Sequence, residues 1–305
     1  MVMSLTAFLS SVELGLLYSL MTLGLFLSYR ILDIADLTVD GSFTLGAAVC
    51  AMVTIAGHPV MAVFAAAAAG AAAGIVTAVL QTKLKVQPIL AGILTMTALY
   101  SINIMVMGGS PNKSLNGEQT LFTMLRDTGI PSRYVSLTVG IIAVIFVCLL
   151  MVLFLQTPLG LSIRATGDNE AMVRSSSINV NLIKIIGLSL ANLLVSASGA
   201  LIAQYQSFAD VSSGVGMVVI GLASLIIGEI IIGKNSINRN VLAVIAGSVI
   251  YRFIIQLALE VNISFSSMKL VSAVIITAAI SFPVVQENIR ISKLKKRSLA
   301  NAENK

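Results

Sequence analysis

Few side chains in this chain could carry chemistry, and those that could are carboxylates and arginines set among apolar residues. Three acids crowd one segment, RILDIADLTVDGS, at Asp33, Asp36 and Asp40. A carboxylate in apolar surroundings needs water, a partner or a helix start. Asp40 precedes Gly41, Ser42 and Phe43, and two uses fit it: capping the helix that opens there, or contact with a bound solute. A half-helix starting at membrane depth would aim its free amides and positive dipole end inward, where a solute carboxylate could meet them. Asp40, Gly41, Ser42 and Phe43 are therefore candidate solute-contacting residues.

Glu229 and Arg252 form the second candidate set. Arg252 stands about twelve residues into an apolar segment, too deep for its head group to reach water easily, so it needs a carboxylate or carbonyl partner. Glu229 is one candidate for that role. A structural pair and a working one are both open on this reading.

Other reactive residue types carry less. His58 is the sole histidine and stands beside Pro59 at a turn. Without further ligands at metal-binding spacing no metal site is expected. Cys50 and Cys148 both fall in apolar stretches, where they act as small hydrophobes. Gly228 to Asn235 reads GEIIIGKN, close to a phosphate loop, but it lacks the final hydroxyl and its middle is three isoleucines. No ATP site is expected there.

The elements that position these residues follow from composition. The chain has 305 residues, of which 57% are hydrophobic and 10% charged, whereas a soluble domain carries about a quarter charged residues. The solvent for most of its surface is lipid. About nine apolar stretches are spaced along it, at 8–29, 42–56, 60–82, 87–107, 135–155, 184–205, 217–232, 241–259 and 269–286. The second and seventh are short, as broken or re-entrant helices are. The fold class expected is an all-α polytopic membrane protein. The first stretch is too long for a cleavable leader and reads as a retained span.

Basic residues set the orientation. Arg290, Lys293, Lys295, Lys296, Arg297 and Lys305 place the tail in the cytoplasm, and with nine spans the uncharged start then lies outside. The net charge of +6 is scattered between spans instead of forming one aromatic-flanked face, so nucleic acid is not an expected partner. Ala62, Ala66, Gly70 and Gly74 recur every four residues, a stripe for close helix packing within the subunit or across a dimer.

Two polar segments are long enough to have tasks. The outer one, about 108–134, is rich in Gly, Pro, Asn and Ser and suits either a solvated connector or contact with an external partner. The inner one, about 156–184, reads QTPLGLSIRATGDNEAMVRSSSINVNLIK. After Thr157-Pro158 it offers a start signal at Gly167, Asp168 and Asn169, then a helix-capable run from Glu170 to Ser176. Asp168 or Asn169 can cap that run, and Glu170 complements its dipole. A capped helix between two spans is a rigid knob, although an ordinary amphipathic connector has the same spacing.

This inner segment resembles the cytoplasmic coupling segment of the branched-chain amino acid, ribose and nucleoside permease family of ABC importers. The matching positions are Thr157, Gly160, Arg164, Ala165, Gly167, Asn169, Ala171, Ile178 and Val180, with Ser177 where the family commonly has glycine. The stretch ADLTVDGSFTLGAA near the start is similar to permeases grouped with tryptophan and tyrosine uptake systems.

That resemblance implies a single permease domain over 1–290, with its coupling loop at about 156–184 and a basic cytoplasmic tail over 291–305. Arg164, Gly167, Asp168, Asn169, Glu170 and Ala171 become the residues expected to couple to an ATPase. It further implies a non-catalytic subunit of a bacterial inner-membrane importer that moves a small solute by alternating access, an amino acid and best an aromatic one. No cofactor is expected in this chain; ATP and Mg would be bound by partner ATPase subunits. An extracytoplasmic solute-binding protein and a second permease, most simply a homodimer, complete the expected set of partners. The alternative is an ion-gradient-driven secondary transporter, for which Glu229 is the main coupling carboxylate.

Overall fold

The computed structural model describes residues 5–127, 129, 131–233, 236–260, 270–274, 277–278, 281 and 291. The first apolar stretch is α1 (Leu5–Leu25), prolonged by a π-helical turn at Phe26–Ile31; α2 (Thr38–Ile55), α3 (Pro59–Thr82) and α4 (Pro88–Val106) follow. A short strand β1 (Asn112–Ser114) and helix α5 (Leu121–Asp127) lead to α6 (Ser132–Gln156). Two short helices, α7 (Pro158–Asp168) and α8 (Glu170–Ser175), then connect to α9 (Val180–Gln206), β2 (Phe208–Asp210), α10 (Met217–Ile232) and α11 (Ile237–Glu260).

Among the described residues, seven helices are long and apolar enough to cross a membrane. Eight of the nine expected stretches are thus helical, and the eighth of these helices, α10, is short. Its 16 residues extend about 24 Å at 1.5 Å per residue, less than a bilayer core of about 30 Å. The second stretch, expected to be short, is a helix of 18 residues that starts earlier than the apolar run does. Its start is polar because Asp36 supplies an acceptor there: Asp36 Oδ1 takes the amide of Thr38 at 2.9 Å. The ninth stretch, 269–286, and the tail lie largely outside the described residues.

The bundle is organised around α9, which packs on α1, α2 and α3. Hydrophobicity cannot drive helices together in lipid, so close backbone approach and interhelical hydrogen bonds do it instead. Glycines make the approach possible. A Cβ at Gly70 would meet the carbonyl of Asn192 and the side chain of Ser196, and one at Gly74 would meet the carbonyl of Leu188. Ser196 Oγ donates to the carbonyl of Ala66 at 2.7 Å. The small-residue stripe of α3 is therefore spent within the subunit, against α9.

The two ends of the bundle differ. One carries Arg30, Lys83, Lys85, α7 and α8 and is termed the basic end. At the other, β1 and β2 pair antiparallel with Lys113 opposite Ala209. Phe122 of α5 is buried there, edge-on to Tyr205 with ring centroids 5.7 Å apart. Residues 112–122 of this outer segment are thus pinned to the end of α9 and to β2.

Candidate functional site

The site is built where α2 meets the start of α10. β2 shares an apolar cluster with Ala47, Ala48 and Ala51 of α2 through Ala209, and the turns after it press Gly214 on the carbonyl of Asp40 and the hydroxyl of Thr44. α10 consequently begins against the first turn of α2, well inside the bundle. Irregular backbone at such depth is tolerated only where protein covers it or water reaches it. Gly216 caps α10 with φ +88°, a left-handed conformation that favours glycine.

Asp40 closes this start. Its Oδ2 accepts from the amide of Gly216 and its Oδ1 from the amide of Val218, both at 2.9 Å. Free amides and the positive dipole end of a helix favour a carboxylate. Asp40 is therefore a cap, but of α10 and not of its own helix, whose first amide Asp36 already takes. Chain neighbours cannot reveal this, because the two partners are 176 residues apart.

The three residues after Asp40 are also placed. Gly41 packs on Met96 and Leu99 of α4, and its carbonyl accepts from Asn103 Nδ2 at 3.3 Å. Ser42 is fully buried, and its hydroxyl has no hydrogen-bond partner among the described residues. Phe43 stacks on Tyr18 with centroids 5.9 Å apart and planes 7° from parallel. A second polar cluster, not anticipated from the sequence, joins α2, α3 and α9. Asp36 Oδ2 accepts from Asn192 Nδ2 at 2.7 Å, and the hydroxyls of Thr38 and Thr77 lie 2.8 Å apart. Its signal was available in Asn192, an amide in the middle of an apolar span.

Glu229 and Arg252 are not brought together as a pair. Glu229, near the end of α10, lies 2.8 Å from Arg30 Nε at the basic end, an approach of charges whose angle falls outside hydrogen-bond geometry. Arg252 instead holds its guanidinium 3.5 Å above the ring of Tyr18. The reason is depth: α10 and α11 run antiparallel with Gly228 against Ala243 and Gly247 against Ser224, so Glu229 stands level with the start of α11 and the end of α1, while Arg252 lies about ten residues, or about 15 Å, further along, beside the middle of α1. Gly228 packs on the carbonyl of Ala243, and the chain is helix through Ile232, so residues 228–232 of the GEIIIGKN stretch are the packed end of α10, and Lys234 and Asn235 lie outside the described residues.

At the basic end, α7 and α8 form an elbow. Thr157 caps α7 by accepting from Gly160 N at 3.2 Å, and Asn169 caps α8 by accepting from Met172 N at 3.0 Å. Glu170 accepts from Arg174 at 2.6 Å and from Lys184 of α9 at 2.7 Å, tying the elbow to the bundle. Gly167 is pressed against the carbonyl of Ile31, the last residue of the π-helical turn, so the elbow sits directly under α1. Arg164 and Gly167 are half-buried, whereas Asp168, Asn169 and Ala171 are exposed, and Met172 stands 55% exposed beside them. Ser177, where the resembled family has glycine, adopts φ +62°, the left-handed region in which glycine is at ease.

Lys184 first, and Arg174 with it, hold the Glu170 carboxyl below its ordinary value of 4.5. A lowered value means that the stabilisation is complete above about pH 4.5 and is lost as pH falls through the lowered one. Glu170→Gln should therefore loosen the elbow at neutral pH, seen as faster amide exchange over 157–179, and leave exchange unchanged below the titration. Equal exchange in both proteins at pH 7 would show that the two contacts do not hold the elbow.

Seven helices long and apolar enough to cross a membrane, with the shorter apolar α10 beside them, define a polytopic all-α membrane protein. Comparison with known proteins makes the class specific: the family model described as branched-chain amino acid transport system / permease component matches residues 7–280. The chain belongs to this family, the membrane-spanning components of ABC import systems. It is 40% identical over 266 residues to the tyrosine transport system permease protein of Clostridioides difficile, covering 87% of each chain. It is also 32% identical over 250 residues to the ribose import permease protein RbsC of Escherichia coli, covering 80% of this chain and 75% of that one. An uncharacterized protein of Rickettsia prowazekii is 32% identical over 277 residues, covering 90% and 96%. No solved structure gives a significant match.

Proposed function

We propose that the chain carries an amino acid, best an aromatic one, through a bacterial inner membrane by alternating access, driven by separate ATPase subunits that dock on α7 and α8. The elbow carries this reading. It is doubly capped, tied by Glu170 to α9 and seated by Gly167 under α1, while Ala171 and Met172 remain exposed on its far side. A push on those exposed residues would be delivered to α1 without loss in a flexible joint. Arg164, Gly167, Asp168, Asn169, Glu170 and Ala171 are the coupling residues in this reading. The basic end is then cytoplasmic, the β1–β2 end faces an extracytoplasmic solute-binding protein, and two copies of the chain form the complete pathway.

An amino-acid cargo is favoured by the relative named for tyrosine transport. The gradient-driven alternative is disfavoured by the engagement of Glu229 with Arg30. The test is uptake of radiolabelled L-tyrosine into proteoliposomes holding the permease, its ATPase and its binding protein. Uptake should require internal or external ATP on the ATPase side, survive collapse of the ion gradients, and be abolished by Met172→Glu together with ATPase attachment. Uptake that follows the ion gradient and ignores ATP would overturn the proposal.

A further inference from the structure

Among the described residues, each acid inside the bundle has a polar or charged partner, and one cation does not. Glu13 accepts from the hydroxyl of Tyr205 at 3.2 Å, Asp36 from Asn192 and Thr38, Asp40 from the start of α10, and Glu229 faces Arg30. Each of these acids is engaged elsewhere. Arg252 lies fifteen residues after Ile237, the first residue of α11, hence about 22 Å along the helix. Its contact among the described residues is the ring of Tyr18, 3.5 Å from the guanidinium carbon. No carboxylate lies within ion-pair distance of it among those residues, and its Nε is buried without an acceptor.

Arg252 is half-buried; a cation over an aromatic ring gains about 0.5–2 kcal/mol, whereas taking an ion fully out of water costs several. The ring does not offset that cost. A planar guanidinium is suited to a carboxylate, which it can hold by two parallel hydrogen bonds. The ring under it is itself fixed, since Phe43 stacks on Tyr18 from α2. The arrangement is a cation with an open valence on a rigid aromatic platform, at the depth where α1, α2 and α10 converge.

We propose that Arg252 receives the carboxylate of the transported solute, with Tyr18 as its platform. This rests on the reading of the chain as an amino-acid permease, and it adds the residue that would make the pathway prefer a carboxylate-bearing solute to a neutral sugar. In the reconstituted complex, Arg252→Gln should lower L-tyrosine uptake about a hundredfold, the scale of losing one partner of a buried charge pair. Arg252→Lys, which keeps the charge and loses the fork, should lower it about tenfold, chiefly through KM. The melting temperature should stay near the wild-type value in the lysine variant.

A measurement on the wild-type complex makes the test independent of folding. Phenylglyoxal modification of Arg252, read by mass spectrometry, should be slowed by L-tyrosine and not by tyramine, which has the same ring and amine without the carboxylate. Equal protection by both, or by neither in a complex that takes up L-tyrosine, would overturn the assignment, as would normal uptake by Arg252→Gln. Wild-type complex that takes up no L-tyrosine at all would refute the amino-acid reading itself, a different failure.

Discussion

Asp40→Ala is expected to cost more transport than any other single change in the first turn of α2. Its carboxylate closes the start of α10 with two hydrogen bonds of 2.9 Å, and Val218, one of the two donors, is buried. Leaving buried donors without an acceptor costs about 1–3 kcal/mol. The larger consequence is positional, because α10 would lose the contact that fixes its start against α2. Uptake should fall at least about tenfold, the scale of a loss of 1.4 kcal/mol, with a lowered melting temperature. Asp40→Asn keeps one acceptor oxygen and should fall between the two. Wild-type melting and uptake in the alanine variant would mean that Asp40 holds nothing that matters, and the site would have to be sought elsewhere.

The second large effect is an asymmetry. Arg30 and Glu229 face each other, but the arginine side chain is 42% exposed and the glutamate 7%. Removing the exposed partner takes the Arg30 counter-charge from a buried carboxylate, while removing the buried one frees an arginine that already reaches solvent. Arg30→Gln should therefore destabilise the protein by about 1–3 kcal/mol, less than the 3–5 of a fully buried pair, and Glu229→Gln by less than about 1. The double variant should recover part of what Arg30→Gln loses. Chemical denaturation of the three proteins checks this, and equal losses in the two single variants would remove the pair from the account. Because Arg30 precedes Ile31, on whose carbonyl Gly167 of the elbow rests, the same variants probe a mechanical link from the elbow to α10.

Local patterns made much of this protein readable in advance. Asn169 before Glu170 is a helix-capping pattern that acts over three residues, and that cap forms; the cap that Thr157 gives α7 was not anticipated. The four-residue recurrence of Ala62, Ala66, Gly70 and Gly74 marked a packing face, though not its partner. Partner choice is where local reading stopped. Arg252 and Glu229 were natural to pair because they stand in consecutive apolar segments, yet the antiparallel register of α10 on α11 sets them at different depths, beside different parts of α1.

From the chain of residues alone came lipid as the solvent, the helical segments and the capped elbow, since hydrophobic length and capping act between neighbours in sequence. Folding in three dimensions assigned each buried charge its counterpart: Asp40 to the amides of α10, Glu229 to Arg30, and Arg252 to an aromatic ring. Those assignments depend on how helices turn about their axes and at what depth a broken one begins, quantities that packing against α9 fixes and that no run of adjacent residues encodes.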